Sequence, residues 1–379
     1  MSSRNRQSLR RLAVILAAVA CLATAAELLR SPLTRYSNDG TQLVVYCAHD
    51  AVFAESVIRR FESETGISVD VRFDEEANKS LGLTSLLLAE KDHPRCDVFW
   101  NNQTLGTIRL QQAGVLATYK GAGHERVPAA YRDPAGCWTG FAARMRVVIV
   151  NTDRIDVGSK NSLAAARGAD LIGGDSVPEA LRQADDLIRE HLQAGSLDRV
   201  AIAQPMFGTT LTHYSVLAAE WGIDKLKSWH HSLHSRGIRE ARGNAAVRDL
   251  VAAGICDLGF TDTDDAFSAI DSGQPVTMLP VRLDDGRTIV MPNSVAMIKG
   301  CPHPEAAARF IEFLLSEATE LALANSPARQ IPLGKVDESR LPAEVRSLRK
   351  WAAEGVSLKA AAEVNQAVLD WLTSEYTPR

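Results

Sequence analysis

The sequence predicts an α/β fold of two lobes joined by crossing hinge strands. Three observations carry this expectation. Short apolar runs of strand length alternate with segments of helical spacing, a polar Gly- and Ser-rich stretch interrupts the alternation near mid-chain, and the alternation then resumes. Alternating strands and helices predict a mostly parallel sheet. At 379 residues the chain has room for two domains of roughly 100–200 residues each.

Leu43, Val44, Val45 and Tyr46 form a continuous apolar run, the pattern of a strand covered on both faces. Residues 51–65 carry Phe53, Val57, Ile58 and Phe61 at helical spacing, and Gly66 supplies the stop. A second strand is expected at 69–73, a helix at 81–91 and a third strand at 97–100. A helix over 104–113 follows, capped by Thr104 and stopped by Gly114. The β-branched run 146–150 reads as a strand leaving the first lobe, and 158–175 as an irregular surface insertion. Then come a strand at 200–203, helices at 209–221, 224–235 and 244–253, and a strand at 256–261. Residues 294–298 return to the first lobe, and helical stretches within 303–315 and 347–371 pad the outside. The expected division is a signal or anchor (1–26), a linker (27–41), lobe 1 first part (42–147), lobe 2 (148–286), lobe 1 second part (287–340) and C-terminal helices (341–379). The hinge is expected near 146–151 and 284–293.

The formal net charge of −4 offers no basic surface for nucleic acid, so none is expected as a partner. The start is different in kind. Arg4, Arg6, Arg10 and Arg11 precede an apolar run over 12–26, the order of a secretory signal, and Ala23-Thr24-Ala25 fits a cleavage site. The run is shorter than the ~20 residues that span a bilayer comfortably. A cleaved signal, a lipid anchor at Cys21 and an uncleaved anchor all stay open; each implies export to a periplasmic or other extracytoplasmic location. Six cysteines stand at 21, 47, 96, 137, 256 and 301 without a C-x-x-C pair, so zinc ribbons and thioredoxin-like redox chemistry are unsupported. Small apolar packing is the plainer reading of those thiols.

Several segments, taken in order, resemble the periplasmic ferric-ion-binding proteins and the wider group of solute receptors of ABC importers. They are Val45-Tyr46-Cys47-Ala48-His49-Asp50, residues 61–67, Ala89-Glu90-Lys91 through Asp97-Val98-Phe99-Trp100-Asn101-Asn102, Phe207-Gly208-Thr209-Thr210, residues 254–265 and Pro292-Asn293-Ser294-Val295-Ala296. The resemblance runs from about Leu43 to Leu333. It implies the two-lobed periplasmic-binding (Venus flytrap) fold, a small-molecule or metal ligand, and an importer permease as partner. Membrane contact is then expected only through the permease or an N-terminal anchor. Ferric-binding members hold iron with a histidine, a glutamate, two adjacent tyrosines and a bound anion. Here Asp50, preceded by His49, stands at the histidine position, Asn102 at the glutamate position, and Asp264 and Asp265 at the tyrosine pair. Gly208 and Thr209 match the anion loop, and Asn244 an anion-contacting asparagine.

Read from the residues alone, Asp262, Asp264 and Asp265 follow a strand closely enough to repel one another unless a cation neutralises them. Hard metals or an ammonium group suit such oxygens, while helix capping is the competing reading. Gly208-Thr209-Thr210 precedes a helix, where exposed N–H groups favour an anion over an ordinary cap. Arg144 and Arg146 alternate on one strand face, either meeting an anion or forming salt bridges. His230 and His234, i and i+4, with His231 between them, read as a solvated helix face because no H-E-x-x-H companion accompanies them. Trp100, Asn101 and Asn102 end a strand at the expected cleft.

The expected function is a non-enzymatic receptor whose leading ligand is a ferric ion with a small anion, the metal met by Asp50, Asp264 and Asp265. A zwitterionic organic solute such as an aminophosphonate is the alternative. No catalytic cofactor is expected. An exported hydrolase is the third reading; the chain has neither G-x-S-x-G nor a G-x-x-x-x-G-K-[ST] loop to support it.

Overall fold

The computed structural model describes residues 42–74, 81–155, 189–193 and 195–377. The expected signal, linker and 158–175 insertion lie outside the described residues. The first lobe opens with β1 (Gln42–Cys47), α1 (Ala51–Thr65), β2 (Ser68–Phe73), α2 (Leu81–Ala89), β3 (Val98–Asn101) and α3 (Leu105–Gln112). α1 buries Val57, Ile58 and Phe61 of the stripe read from the sequence together with Ala54, while Phe53 is only half-buried. Gly66 ends it at φ 72°, a left-handed conformation that costs glycine little, and donates its N–H to Glu62 O. The start of α3 differs from expectation. Gln103 Oε1 accepts from the N–H of Leu105 at 2.6 Å, while Thr104 Oγ1 donates instead to Pro292 O at 3.3 Å. Gln103 thus caps the helix, and Thr104 ties it to a distant strand.

After the short α4 (Ala122–Arg126) comes β4 (Thr139–Asn151), thirteen residues buried throughout. The second lobe holds β5 (Val200–Ala203), α5 (Gly208–Trp221), α6 (Ile223–Ser235), β6 (Arg239–Ala241), α7 (Asn244–Ala252), β7 (Leu258–Asp262), α8 (Thr263–Asp271) and β8 (Val276–Pro280). The chain returns through β9 (Val290–Met297) and ends in α9 (Pro304–Leu314), α10 (Glu317–Ala324), α11 (Ala343–Ala352) and α12 (Leu358–Tyr376).

The strand order is β2-β1-β3-β9-β4-β7-β5-β6, with β8 on β4. The outer strands of each lobe pair in parallel: β1 with β2 and β3, and β5 with β6 and β7. All pairings of β4 and β9 are antiparallel, so the sheet is mixed rather than mostly parallel. The reason is topological: strands that carry the chain out of a lobe and back must run in opposite directions. β4 pairs with β9 through Met145, then with β7 and β8 from Arg146 and Val147 onward. One strand therefore belongs to both halves of the sheet. Among the described residues, no helix is long and apolar enough to cross a membrane.

Candidate functional site

A cavity of about 480 Å³ is lined by Asp50, Asn102 and Arg144 from one side and by residues of β5, α5, α7 and α8 with their adjoining turns from the other. Its floor is set by β4. Arg146 lies directly across from Asp262 in the β4–β7 register, and the two are buried partners at 2.8 Å. Thr209 Oγ1 donates to the second oxygen of Asp262 at 2.6 Å, and Asn244 Nδ2 donates there too at 3.0 Å. Arg146 also donates to Asn244 Oδ1 at 3.0 Å, and Thr210 Oγ1 reaches the same oxygen at 3.2 Å. Five side chains from four elements thus close one largely buried network that holds the amino ends of α5 and α7 side by side. Gly208 opens α5 at φ 55° with no atom where a Cβ would project. The first N–H groups of α5 and α7 present partial positive charge at the cavity. Arg242, just before Gly243 at the α7 start, adds a full charge on that wall.

The opposite character belongs to α8. Asp264 and Asp265 occupy its first turn, and carboxylate oxygens of Asp262, Asp264 and Asp265 all lie within 4.8 Å of one another. The cation expected to relieve this crowding is supplied by the chain. Arg144 approaches Asp264 at 3.4 Å while donating to Asn102 O at 2.7 Å, Arg146 holds Asp262, and Arg248 lies 3.7 Å from Asp265. Relief is incomplete. Burial, then the neighbouring Asp264 and Asp262 charges, push the Asp265 carboxyl up to about 8, which favours its protonated form. Burial also raises Asp264, against the pull of Arg144.

The candidates read from the sequence separate into groups. Asp50, Asn102, Gly208, Thr209, Thr210, Asn244, Asp262, Asp264 and Asp265 all line this cavity. Asp262 is 1% exposed and both its oxygens are engaged, so it positions the floor rather than offering a vacant ligand atom. Side-chain capping of α8 by Asp262 is likewise absent. His49 and Asn101 are not in the lining. His49 turns into the lobe, edge-on to Trp100 at 5.4 Å, with Nδ1 accepting from the N–H of Asp50 at 2.8 Å. Asn101 is fully buried and donates to Thr107 at 3.2 Å. Trp100 is fully buried in the core, away from the ligand role considered for it. For His49 and Asn101 it is the following residue, Asp50 or Asn102, that lines the cavity.

His230 departs from the solvated-face reading. It is buried against Tyr214, whose hydroxyl lies 3.0 Å from its Nδ1, and edge-on to Trp371 of α12 at 5.3 Å. Burial lowers it to about 4. Helical spacing alone does not show that α12 covers this face. His231 stays exposed. Cys47, Cys96 and Cys256 are buried, in keeping with apolar packing, while Cys137 and Cys301 are half-buried. Arg242 was missed by sequence reasoning; its signal is a cation immediately before a glycine-started helix.

Known proteins of this shape now bear on the site. Iron uptake protein A1 of Synechocystis sp. is 24% identical over 312 residues, spanning 78% of this chain and 77% of that protein. Iron-bound HitA from Pseudomonas aeruginosa superposes with a TM-score of 0.67 at 20% identity, covering 88% of this chain and 99% of that one. AfuA from Actinobacillus pleuropneumoniae, with fructose-6-phosphate bound, superposes at 0.64 with 18% identity, covering 89% and 99%. These structures establish the two-lobed periplasmic-binding fold. Residues 43–325 match the bacterial extracellular solute-binding protein family, and the chain belongs to that family.

Proposed function

We propose that this chain captures a small organic solute, anionic at one end and cationic at the other, in the cavity between its lobes and delivers it to the permease of an ABC importer. One observation carries the reading: the cavity has two walls of opposite character. The paired amino ends of α5 and α7, with Arg242, suit a phosphonate, phosphate or carboxylate. Asp50, Asp264 and Asp265 suit an ammonium group. Asp265 gives up its proton when a cation arrives, so capture of the cationic end releases a proton near neutral pH.

A ferric ion with a small anion is the second reading. The three carboxylates within 4.8 Å of one another favour it, as do the iron-linked relatives. Against it stand the guanidinium groups of Arg144 and Arg146 beside the carboxylates, and the absence of tyrosine at 264 and 265. The AfuA complex is consistent with a phosphorylated organic solute in this fold.

Calorimetry separates the two. Aminoalkylphosphonates and ferric citrate are titrated into the wild type and into Asp264→Ala/Asp265→Ala. The expected result is saturable binding of a zwitterion, weakened at least about tenfold in the double variant, a loss of about 1.4 kcal/mol. Tight ferric binding without zwitterion binding would install the second reading, and such iron would be nearly colourless for want of phenolate ligands. Equal affinity in wild type and double variant would remove the acidic wall from the site.

A further inference from the structure

Among the described residues, Ala142 at φ 40° and Arg329 at φ 44° are the only non-glycine residues with positive φ. They flank a single backbone bridge. Ala143 N–H donates to Ile331 O at 2.7 Å, and Ile331 N–H donates back to Ala143 O at 2.8 Å. Left-handed backbone at a residue with a Cβ persists only where its surroundings over-determine it, and it collects at sites that move.

Ala142 is held from both sides. Its N–H donates to Glu320 Oε1 at 2.9 Å, and its carbonyl accepts from Asn293 Nδ2. Glu320 is fully buried, accepts further from Leu333 N–H at 2.8 Å and pairs with Arg126 at 2.5 Å. The register of β4 on β9 shifts between Phe141 and Arg144, just before β4 passes from β9 to β7. The strain therefore lies where the shared strand changes partners.

Arg329 faces the other way from that bridge. Its guanidinium forks onto Asp271 at 2.7 and 2.9 Å and lies 4.7 Å over the Phe267 ring. Asp271 and Phe267 belong to α8, whose first turn presents Asp264 and Asp265 to the cavity. The next residue, Gln330, places its amide 2.8 Å from Nε2 of His49, and His49 holds the backbone of Asp50. Arg329 thus joins the segment that supports Asp50, contributed from one side of the cavity, to α8, contributed from the other.

We propose that Arg329 is a positioning residue that clamps α8 to the pivot of the shared strand and so sets how far the lobes stand apart. The fork onto Asp271 and the stack on Phe267 hold its strained backbone, and lobe opening requires that grip to be released. The affinity consequence rests on the solute-receptor reading above; the conformational consequence does not.

Small-angle scattering of the ligand-free full chain is the first test. Arg329→Ala and Asp271→Asn are each expected to raise the radius of gyration, and Arg329→Lys is expected to behave like Arg329→Ala, because lysine has neither the fork nor the planar stack. With 2-aminoethylphosphonate as probe, each variant is expected to raise Kd about three- to tenfold, and Arg329→Ala/Asp271→Asn no more than either alone, as in a coupled pair. Unchanged scattering in Arg329→Ala and Asp271→Asn would overturn the clamp even if the probe binds the wild type. Fully additive effects on scattering would overturn it too. Should Arg329→Ala fail to fold, Asp271→Asn at its half-exposed side chain carries the same test. Failure of the probe to bind the wild type, with scattering that responds as expected, would sink the solute reading and leave the clamp standing.

Discussion

Two arginine–aspartate pairs stand side by side on this fold and differ in almost every physical respect. Arg144 and Arg146 share one face of β4. The inner pair, Arg146 with Asp262, is directly cross-strand, 2.8 Å long and almost wholly buried, and Thr209 and Asn244 take the second oxygen of the aspartate. The outer pair, Arg144 with Asp264, is 3.4 Å long and keeps some exposure at both ends, and both residues line the cavity. The difference follows from where β7 ends. Asp262 is its last residue and meets its partner in register, whereas Asp264 lies in the first turn of α8 and is met diagonally. Two residues of chain separate a buried cross-strand ion pair from one that opens on the cavity.

The largest expected effect tests the inner pair. Arg146→Met leaves Asp262 charged, buried and short of its main partner, and such a broken pair costs about 3–5 kcal/mol. Urea unfolding is expected to show that loss, and Arg146→Met/Asp262→Leu to recover part of it. A cost under about 1 kcal/mol for the single change would mean that water reaches Asp262, and the contrast between the pairs would fall.

Next in size is a dependence on pH. Asp265 is raised to about 8 when folded, against roughly 4 for an unfolded aspartate. The folded chain therefore holds a proton that the unfolded chain has lost between those values. Stability from this group is fully present below about pH 4 and is lost as pH rises through about 8, with a slope of at most ~1.4 kcal/mol per pH unit. Ligand-free protein is expected to melt higher at pH 6 than at pH 8, and Asp265→Asn to flatten the difference. A wild type that gains stability over this interval would contradict the protonated carboxyl.

The sequence made the alternation of strands and helices legible because apolar runs and periodic stripes are local. Residues 51–65 were bounded to the residue, with Gly66 as the stop. Short elements escaped it: β6 has three residues, and β8 ends in proline. The site was legible where a motif sits at a strand end or helix start, as with Gly208-Thr209-Thr210 and Asp264-Asp265. It was not legible where register decides. Nothing local tells that Arg146 faces Asp262 across the sheet, nor that Asp262 spends its oxygens on that network. His49 and Asn101 were placed one residue from cavity-lining neighbours, and one residue suffices to reverse a side chain.

The smallest effect on stability belongs to the outer pair. Asp264→Asn removes the charge facing Arg144, but Arg144 keeps its hydrogen bond to Asn102 O at 2.7 Å and lies at the cavity, where water can reach it. The pair is mostly buried but longer than the inner one and opens on the cavity, so unfolding in urea at neutral pH should show a smaller loss than Arg146→Met, about 1–2 kcal/mol. The substitution has a second consequence. After burial, the Asp264 charge is the foremost cause of the raised Asp265 carboxyl. Without it, Asp265 holds its proton less tightly, so the loss of stability with rising pH should be smaller and should end at lower pH than in the wild type. A small change in stability together with a displaced pH profile would set the outer pair apart from the inner one. A loss as large as that of Arg146→Met, with the pH profile unmoved, would make the two pairs equivalent and remove the distinction between floor and wall.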